Sequence, residues 1–116
     1  MESVGLATVA CYLSIYFEAP LPHTTIFLGE VSPEARIYLP TLPTKEYLDL
    51  CIKEGFNWIV GPSNFVQAWH DYVKEAPYQG LTITGLDTAS DIVLKVFRVI
   101  KPSPLPPLPV ELHQVD

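Results

Sequence analysis

The residues whose types and spacing could do chemistry are His23 and Thr25, in the segment His23–Gly29. The β-branched residues of this segment and its closing glycine are typical of a β-strand. Successive side chains of a strand point to opposite faces, so a spacing of two would place the His23 imidazole and the Thr25 hydroxyl on one face. The pair could then converge on a single phosphate group.

The segment Pro22–Val31 resembles the first signature of the two-histidine phosphoesterase superfamily, in which a strand carries His-x-Thr or His-x-Ser, then apolar residues and often Leu-Gly. The segment Leu81–Asp87 is similar to the strand that precedes a β-hairpin in several small, often phage-encoded members. The resemblance implies two lobes that each supply a histidine, one acting as general base and the other as general acid on a 2′,3′-cyclic phosphate or a related phosphodiester.

The second motif of that family is absent from this sequence. The other histidines, His70 and His113, are not followed by Thr or Ser at the required spacing. We expect His70 on the surface of a helix and His113 in a C-terminal arm. Two copies of His23 could be combined across a two-fold axis, because an isologous interface duplicates every residue. Alternatively, His23 marks a turn and Thr25 simply favours β-structure; only in an enzyme would both be catalytic.

We predict no cofactor and no metal site. Asp87 and Asp91 bracket a turn, where such residues usually cap the turn, whereas calcium takes about six or more oxygen ligands. Cys11 and Cys51 belong to no metal-ligand spacing and are predicted to be reduced core residues, with a disulfide as the alternative. Trp58 is predicted, like Trp69, to anchor the core or to line a groove for a partner.

The composition limits the classes of partner. The chain has 116 residues, of which 48% are hydrophobic and 17% charged, as expected for one globular domain. Its net charge is −6 and its seven Lys and Arg residues do not cluster, which argues against avid binding of nucleic acid. The apolar stretch Val4–Phe17 lacks a basic flank and is too short to span a bilayer. We therefore expect no export signal or membrane segment, and a location in the cytoplasm of the host cell or in a virion.

The N-terminal third of the chain is predicted to form a β-hairpin. Leu6–Phe17 is rich in apolar, β-branched and aromatic residues and predicts a largely buried strand. The turn formers Pro20 and Pro22 then connect it to the predicted strand His23–Gly29.

Two amphipathic helices are predicted in the middle of the chain. Thr44 is a good N-cap for a helix over Lys45–Glu54, with Gly55 at the stop position. A brief apolar run, 57–60, precedes a second helix from Ser63 to about Ala76. The apolar stripe of this second helix has helical spacing and consists of Phe65, Val66, Trp69, Tyr72, Val73 and Ala76.

Two strands, Leu81–Leu86 and Ile92–Ile100, are predicted to form a second hairpin across the polar turn 87–91. Five of the twelve prolines then fall in Pro102–Pro109, which predicts an extended polyproline arm. The sequence thus predicts a single α+β domain over residues 1–101 and a proline-rich arm over 102–116. The arm could lie on its own domain or on a neighbouring subunit, or could serve as a signalling ligand.

The predicted fold class is α+β, with an antiparallel sheet of two β-hairpins and two amphipathic helices packed on it. Because the catalytic pair is incomplete, we expect a noncatalytic interaction or assembly module on a degenerate two-histidine phosphoesterase-like fold. Its expected partners are other protein subunits, in a homo-oligomer or among virion proteins, and the resemblance implies a phage virion or accessory protein. The alternative is a phosphodiesterase, or a binder of cyclic nucleotides or RNA 2′,3′-cyclic phosphates, that uses His23 and Thr25.

Overall fold

The computed structural model describes residues 4–39, 44–69 and 80–101. The strands in these ranges are β1 Val4–Gly5, β2 Thr25–Phe27, β3 Glu30–Val31, β4 Ile37–Tyr38, β5 Trp58–Pro62 and β6 Thr82–Leu86. The helices are α1 Leu6–Tyr16, α2 Lys45–Lys53, α3 Ser63–Trp69, α4 Ser90–Ile92, a π-helical turn Val93–Phe97 and α5 Arg98–Ile100. The last three follow one another without a break and are called the 90–100 helix below.

The strands form two small sheets. The first is antiparallel, with strand order β1-β3-β4, and the second is parallel, with order β2-β5-β6. In the parallel sheet Thr25 pairs with Trp58, and Trp58 pairs with Thr82, so these three residues lie side by side. Parallel neighbours need a crossover connection, and α2 and α3 lie in the two connections between the parallel strands.

Helices cover both faces of the parallel sheet. One face packs with α2 and α3, in a cluster that contains Ile59 of β5, Leu48 of α2 and Phe65 of α3. The opposite face packs with α1 and the 90–100 helix, in a cluster built on Val60 and Leu86. A strand buried on both faces reads as a nearly continuous apolar run, which explains the sequence of β5.

The α+β class predicted from sequence is confirmed, since helices and sheets are both present and one sheet is antiparallel. The first helix predicted in the middle of the chain is also confirmed, because α2 starts directly after Thr44, whose Oγ1 accepts a hydrogen bond from the Tyr47 N–H. The start of the second helix at Ser63 is confirmed as well, and Phe65 and Trp69 of its stripe are buried. Val66 is partly buried and packs against the same cluster, whereas Tyr72, Val73 and Ala76 lie outside the described residues.

The predicted N-terminal hairpin is wrong, because Leu6–Tyr16 is helical and β2 pairs in parallel with β5. The buried residues Leu6, Val9, Ala10, Leu13 and Phe17 follow helical spacing. That spacing was hidden in the sequence, because most of the positions between them are apolar too. The segment is also longer than the four to eight residues of a usual buried strand.

The predicted C-terminal hairpin is also wrong, because Ser90–Ile92 begins a helix where a strand was expected. Ile92, Val96 and Phe97 are fully buried at helical spacing, whereas Leu94, Lys95 and Val99 face outward. The β-branched residues of this segment favour strands intrinsically, but contact with the sheet overrides that weak preference.

The cysteine prediction is half right. Both cysteines are free and Cys51 is buried, but Cys11 is exposed on the outer side of α1. Trp69 is a core residue with 2% of its surface exposed, as predicted. Asp91 caps the turn, since its Oδ2 accepts hydrogen bonds from the backbone N–H groups of Asp87 and Thr88. The proline-rich arm, 102–116, lies outside the described residues.

Candidate functional site

His23 occupies a turn that precedes the strand. The Thr25 N–H donates to the carbonyl of Pro22 at 3.1 Å, which closes a four-residue turn with His23 and Thr24 at its centre. The strand itself starts at Thr25, so the alternation of side chains that would align His23 with Thr25 does not apply. The His23 side chain is exposed to solvent.

The hydroxyl of Thr25 points into the protein. Its Oγ1 is buried and has no hydrogen-bond partner among the described residues. A buried hydroxyl cannot hold a phosphate oxygen beside an exposed imidazole without a rearrangement. The structure therefore does not bring the two predicted site residues to one point, and their catalytic role stays a prediction. The other two histidines, His70 and His113, lie outside the described residues.

A group of mostly polar residues that was not predicted from the sequence lies beside the amino ends of β5 and β6. A cavity of about 330 Å³ opens there, and its described lining consists of Asn57, Trp58, Gly80, Thr82, Thr84, Lys95 and Val99. The spacing of Thr82 and Thr84 on a predicted strand was a usable signal, since such residues share a face. Lys95 could not have been found, because its segment was assigned to a strand.

Two hydrogen bonds order this cavity. The Trp58 Nε1–H donates to Thr84 Oγ1 at 2.9 Å, across neighbouring strands of the sheet. The Lys95 ammonium donates to the carbonyl of Gly85 at 2.9 Å, which ties the 90–100 helix to β6. Both side chains are thereby held in defined positions around the cavity.

The outward side of α1 is a second notable surface. The helix sequence, LATVACYLSIY, contains no charged residue. Its exposed residues are Ala7, Thr8, Cys11, Tyr12, Ile15 and Tyr16, and these are called the α1 outer face below. Ile15 has 79% of its surface exposed, the highest value among the exposed large apolar residues of the described ranges. A helix that is apolar all round is normally buried on every side, and α1 departs from this rule because its outer face is exposed.

Residue size changes systematically along the α1 outer face. The small side chains Ala7, Thr8 and Cys11 occupy its first half, and large ones follow in its second half. Tyr12 and Tyr16 stack on each other there with ring centroids 6.4 Å apart. The face therefore offers a shallow end and a protruding aromatic end.

A pair of titratable groups on α2 has a structural role. Burial raises the pKa of Tyr47, and the neighbouring Cys51 thiol raises it further. Burial also raises the pKa of Cys51, against an opposing effect of the hydrogen bond from Tyr47. Both groups are therefore neutral at ordinary pH, which suits their place beside the core cluster of α2 and α3.

The described residues contain no group of three or more His, Cys, Asp or Glu side chains that could hold a metal ion. In the same ranges every helix is too short or too polar to reach across a lipid bilayer. A comparison with protein-family models gave no match, and a search of curated proteins found no related sequence.

Proposed function

We propose that this chain is a noncatalytic interaction or assembly module, and that two copies of it associate through the α1 outer face. The observation that carries this proposal is an exposed helix face of six residues without a single charge. The buried side of the same helix already contributes Leu6, Val9 and Leu13 to the core, so the outer face is not needed to hold the domain together.

The size gradient of the α1 outer face favours a second copy as the partner. Two α1 helices that pack antiparallel across a two-fold axis would place the small end of each against the aromatic end of the other. Such an interface is self-complementary, which is the requirement for an isologous contact. Cys11 lies at the midpoint of Leu6–Tyr16, so this arrangement brings the two Cys11 residues together at the axis.

The net charge of the chain favours the α1 outer face as the place where two copies meet. Each copy carries a net charge of −6, so two copies repel each other through most of their surfaces. An uncharged face is where this repulsion is weakest. Eleven residues of helix are only about 16 Å long, so we expect weak, concentration-dependent pairing unless neighbouring surfaces also take part.

The biological setting is proposed from the sequence resemblance, and the alternative function is weighed on the geometry of His23 and Thr25. The resemblance to small phage-encoded proteins supports a virion or accessory role, with other protein subunits as partners. The alternative, a phosphodiesterase or cyclic-phosphate binder at His23 and Thr25, has less support because the imidazole is exposed in a turn and the hydroxyl is buried.

Oxidative cross-linking tests the pairing directly, because α1 carries its own thiol. Mild oxidation of the unmodified protein should give a disulfide-linked dimer through Cys11, whereas Cys51 is buried and should not react. Cys11→Ser should abolish the dimer and Cys51→Ser should leave it. Ile15→Glu should weaken the noncovalent association of the two copies at least about tenfold, since it places like charges in an apolar contact.

The matched control is an exposed thiol that lies elsewhere on the surface. Leu50 on α2 is 52% exposed, so Cys11→Ser combined with Leu50→Cys supplies such a thiol. If this control cross-links as fast as the unmodified protein, random collision explains the dimer and the proposal fails. Binding of the protein to phosphatidylcholine vesicles without any Cys11 dimer would instead identify a lipid surface as the partner of α1.

A further inference from the structure

We infer that the cavity between β5, β6 and the 90–100 helix binds a small organic anion that carries a planar ring, with Lys95 holding the anionic part and Trp58 the planar part. This inference does not depend on pairing through α1, because the cavity and the α1 outer face share no residue.

The charge of the cavity favours an anionic ligand. Lys95 is the single charged residue of the described lining, in a chain whose net charge is −6. One of its three N–H donors goes to the Gly85 carbonyl, which fixes the position of the ammonium group and leaves two donors for a ligand. Hydrogen bonds from an ammonium to a carboxylate or phosphate are among the strong ones in proteins.

Neutral hydrogen-bonding groups surround the ammonium group. The Thr84 hydroxyl accepts from the Trp58 indole, so its own hydrogen is free to be directed elsewhere. The hydroxyl of Thr82 and the amide of Asn57 belong to exposed residues of the same lining. The lining therefore combines one cation with several hydrogen-bond donors, and none of its described members is acidic.

A rigid aromatic wall favours a planar ligand. The Trp58 ring is half-buried against the core of the α1 side and is held at its nitrogen by Thr84. A ring fixed in this way can stack on a planar group with little loss of side-chain freedom. Val99 adds an apolar contact, and a side chain at Gly80 is absent, which keeps the cavity open.

The backbone around Lys95 is specialised. Lys95 stands at the centre of the π-helical turn Val93–Phe97, where the Arg98 N–H donates to the carbonyl of Val93 five residues earlier. π-Helical turns are rare and occur often at functional sites. This one lets Val96 and Phe97 stay fully buried while Lys95 reaches the edge of the sheet at Gly85.

The volume of about 330 Å³ limits the size of the ligand. Small-molecule sites span roughly 300–1,000 Å³, so this cavity is at the lower end. An aromatic carboxylate or a nucleoside monophosphate is of a size that this volume can hold.

Two matched pairs of probes test the inference. Benzoate is compared with benzyl alcohol, and adenosine 5′-monophosphate with adenosine, so that each pair differs chiefly in charge. The readout is the pair of tryptophan indole N–H signals in a proton–nitrogen correlation spectrum, assigned with Trp58→Phe. We expect at least one anion to shift the Trp58 signal in a saturable way, while the signal of the buried Trp69 stays in place. The neutral partners should bind at least about tenfold more weakly.

Substituted proteins measure how much the Lys95 ammonium group contributes to binding of the anion. Lys95→Gln should weaken binding of the anion about tenfold, and Lys53→Gln, which changes an exposed lysine on α2, should leave it unchanged. Thr82→Val, at another exposed lining residue, should weaken it a few-fold. A response to benzoate alone identifies a carboxylate ligand, and one to the monophosphate alone identifies a phosphate. The inference is overturned if neither anion gives a saturable shift, or if Lys95→Gln and the unmodified protein bind equally well.

Discussion

At the residue scale, two helix ends adopt the same geometry with different residues. Helix α2 is followed by Glu54 and then by Gly55, whose φ is +89°, and the Phe56 N–H donates to the Cys51 carbonyl. Helix α1 is followed by Phe17 and then by Glu18, whose φ is +52°, and the Ala19 N–H donates to the Ser14 carbonyl in the same way. Both ends are Schellman motifs, in which a left-handed residue follows the helix and is usually glycine.

This comparison predicts opposite effects of two substitutions. Glu18→Gly should raise the free energy of unfolding by about 1 kcal/mol, because glycine adopts a left-handed conformation without the steric cost of a side chain. Gly55→Ala should lower it by about 1 kcal/mol for the same reason. A β-carbon at Gly55 would meet no atom within 4 Å, so the backbone conformation alone accounts for the second effect. Urea unfolding of the three proteins measures both values.

The control for Glu18→Gly is Glu18→Gln, which removes the charge and keeps the side chain. It should change the free energy of unfolding by at most a few tenths of a kcal/mol, as expected for an exposed charge near a helix end. If the glutamine variant gained as much stability as the glycine variant, loss of the charge rather than relief of the backbone conformation would explain the gain.

At the scale of elements, two paired glycines allow α3 to lie close to the parallel sheet. Gly61 of β5 and Gly85 of β6 are direct partners in the sheet. A β-carbon at Gly61 would overlap the ring of Phe65, and one at Gly85 would lie 2.9 Å from the Ser63 Cα atom. The close approach of α3 therefore depends on missing side chains at two neighbouring positions.

Gly61→Ala should lower the free energy of unfolding by about 1–3 kcal/mol, since Phe65 is fully buried and cannot move aside without disturbing the core. Gly80→Ala is a suitable control, because a β-carbon there would meet no atom within 4 Å. Thermal or urea unfolding compares the two variants. Equal stability of both would show that α3 can shift away from the sheet at no cost.

Helix α2 was predictable from the sequence, whereas helix α1 was not. Helix α2 has local signals at both ends, in Thr44 and Gly55, and a polar outer side. Helix α1 has neither, since Gly5 makes no side-chain cap and Glu18 stands where glycine is usual. The amino acids of α1 are also apolar on both sides, which removes the contrast from which helical periodicity is recognised.

At the scale of the whole molecule, the raised pKa values of Tyr47 and Cys51 lower the stability of the fold at alkaline pH. Between the ordinary pKa of each group and its raised value, the folded protein keeps a proton that the unfolded chain releases. The folded state then binds more protons, so the free energy of unfolding falls as pH rises. The decline should begin above about 9.0, the ordinary value of Cys51, and continue above 10.0, that of Tyr47.

Urea unfolding at about pH 8 and about pH 10.5 measures this decline. A protein with both Tyr47→Phe and Cys51→Ala should show a smaller loss between the two values, because neither group can then ionise. An unchanged loss in that variant would assign the alkaline decline to other groups of the chain.

Sequence alone determined the features that depend on neighbouring residues. The cap at Thr44 and the stop at Gly55 specify α2, and the apolar run before Gly61-Pro62 specifies β5. The turn held by Asp91 was likewise readable, because its hydrogen bonds reach only three and four residues along the chain. In each case the interaction that fixes the structure lies within one short window.

Tertiary structure decided which strands pair and which side chains meet. Segments 6–16 and 92–100 have compositions that suit either a strand or a helix, and packing against the sheet selects the helix because it buries Leu13, Val96 and Phe97 together. The parallel pairing of β2 with β5 joins segments separated by a long connection. Lys95 approaches Trp58 and Thr84 only through that packing, so the cavity could not be found before the sheet and the 90–100 helix were assembled.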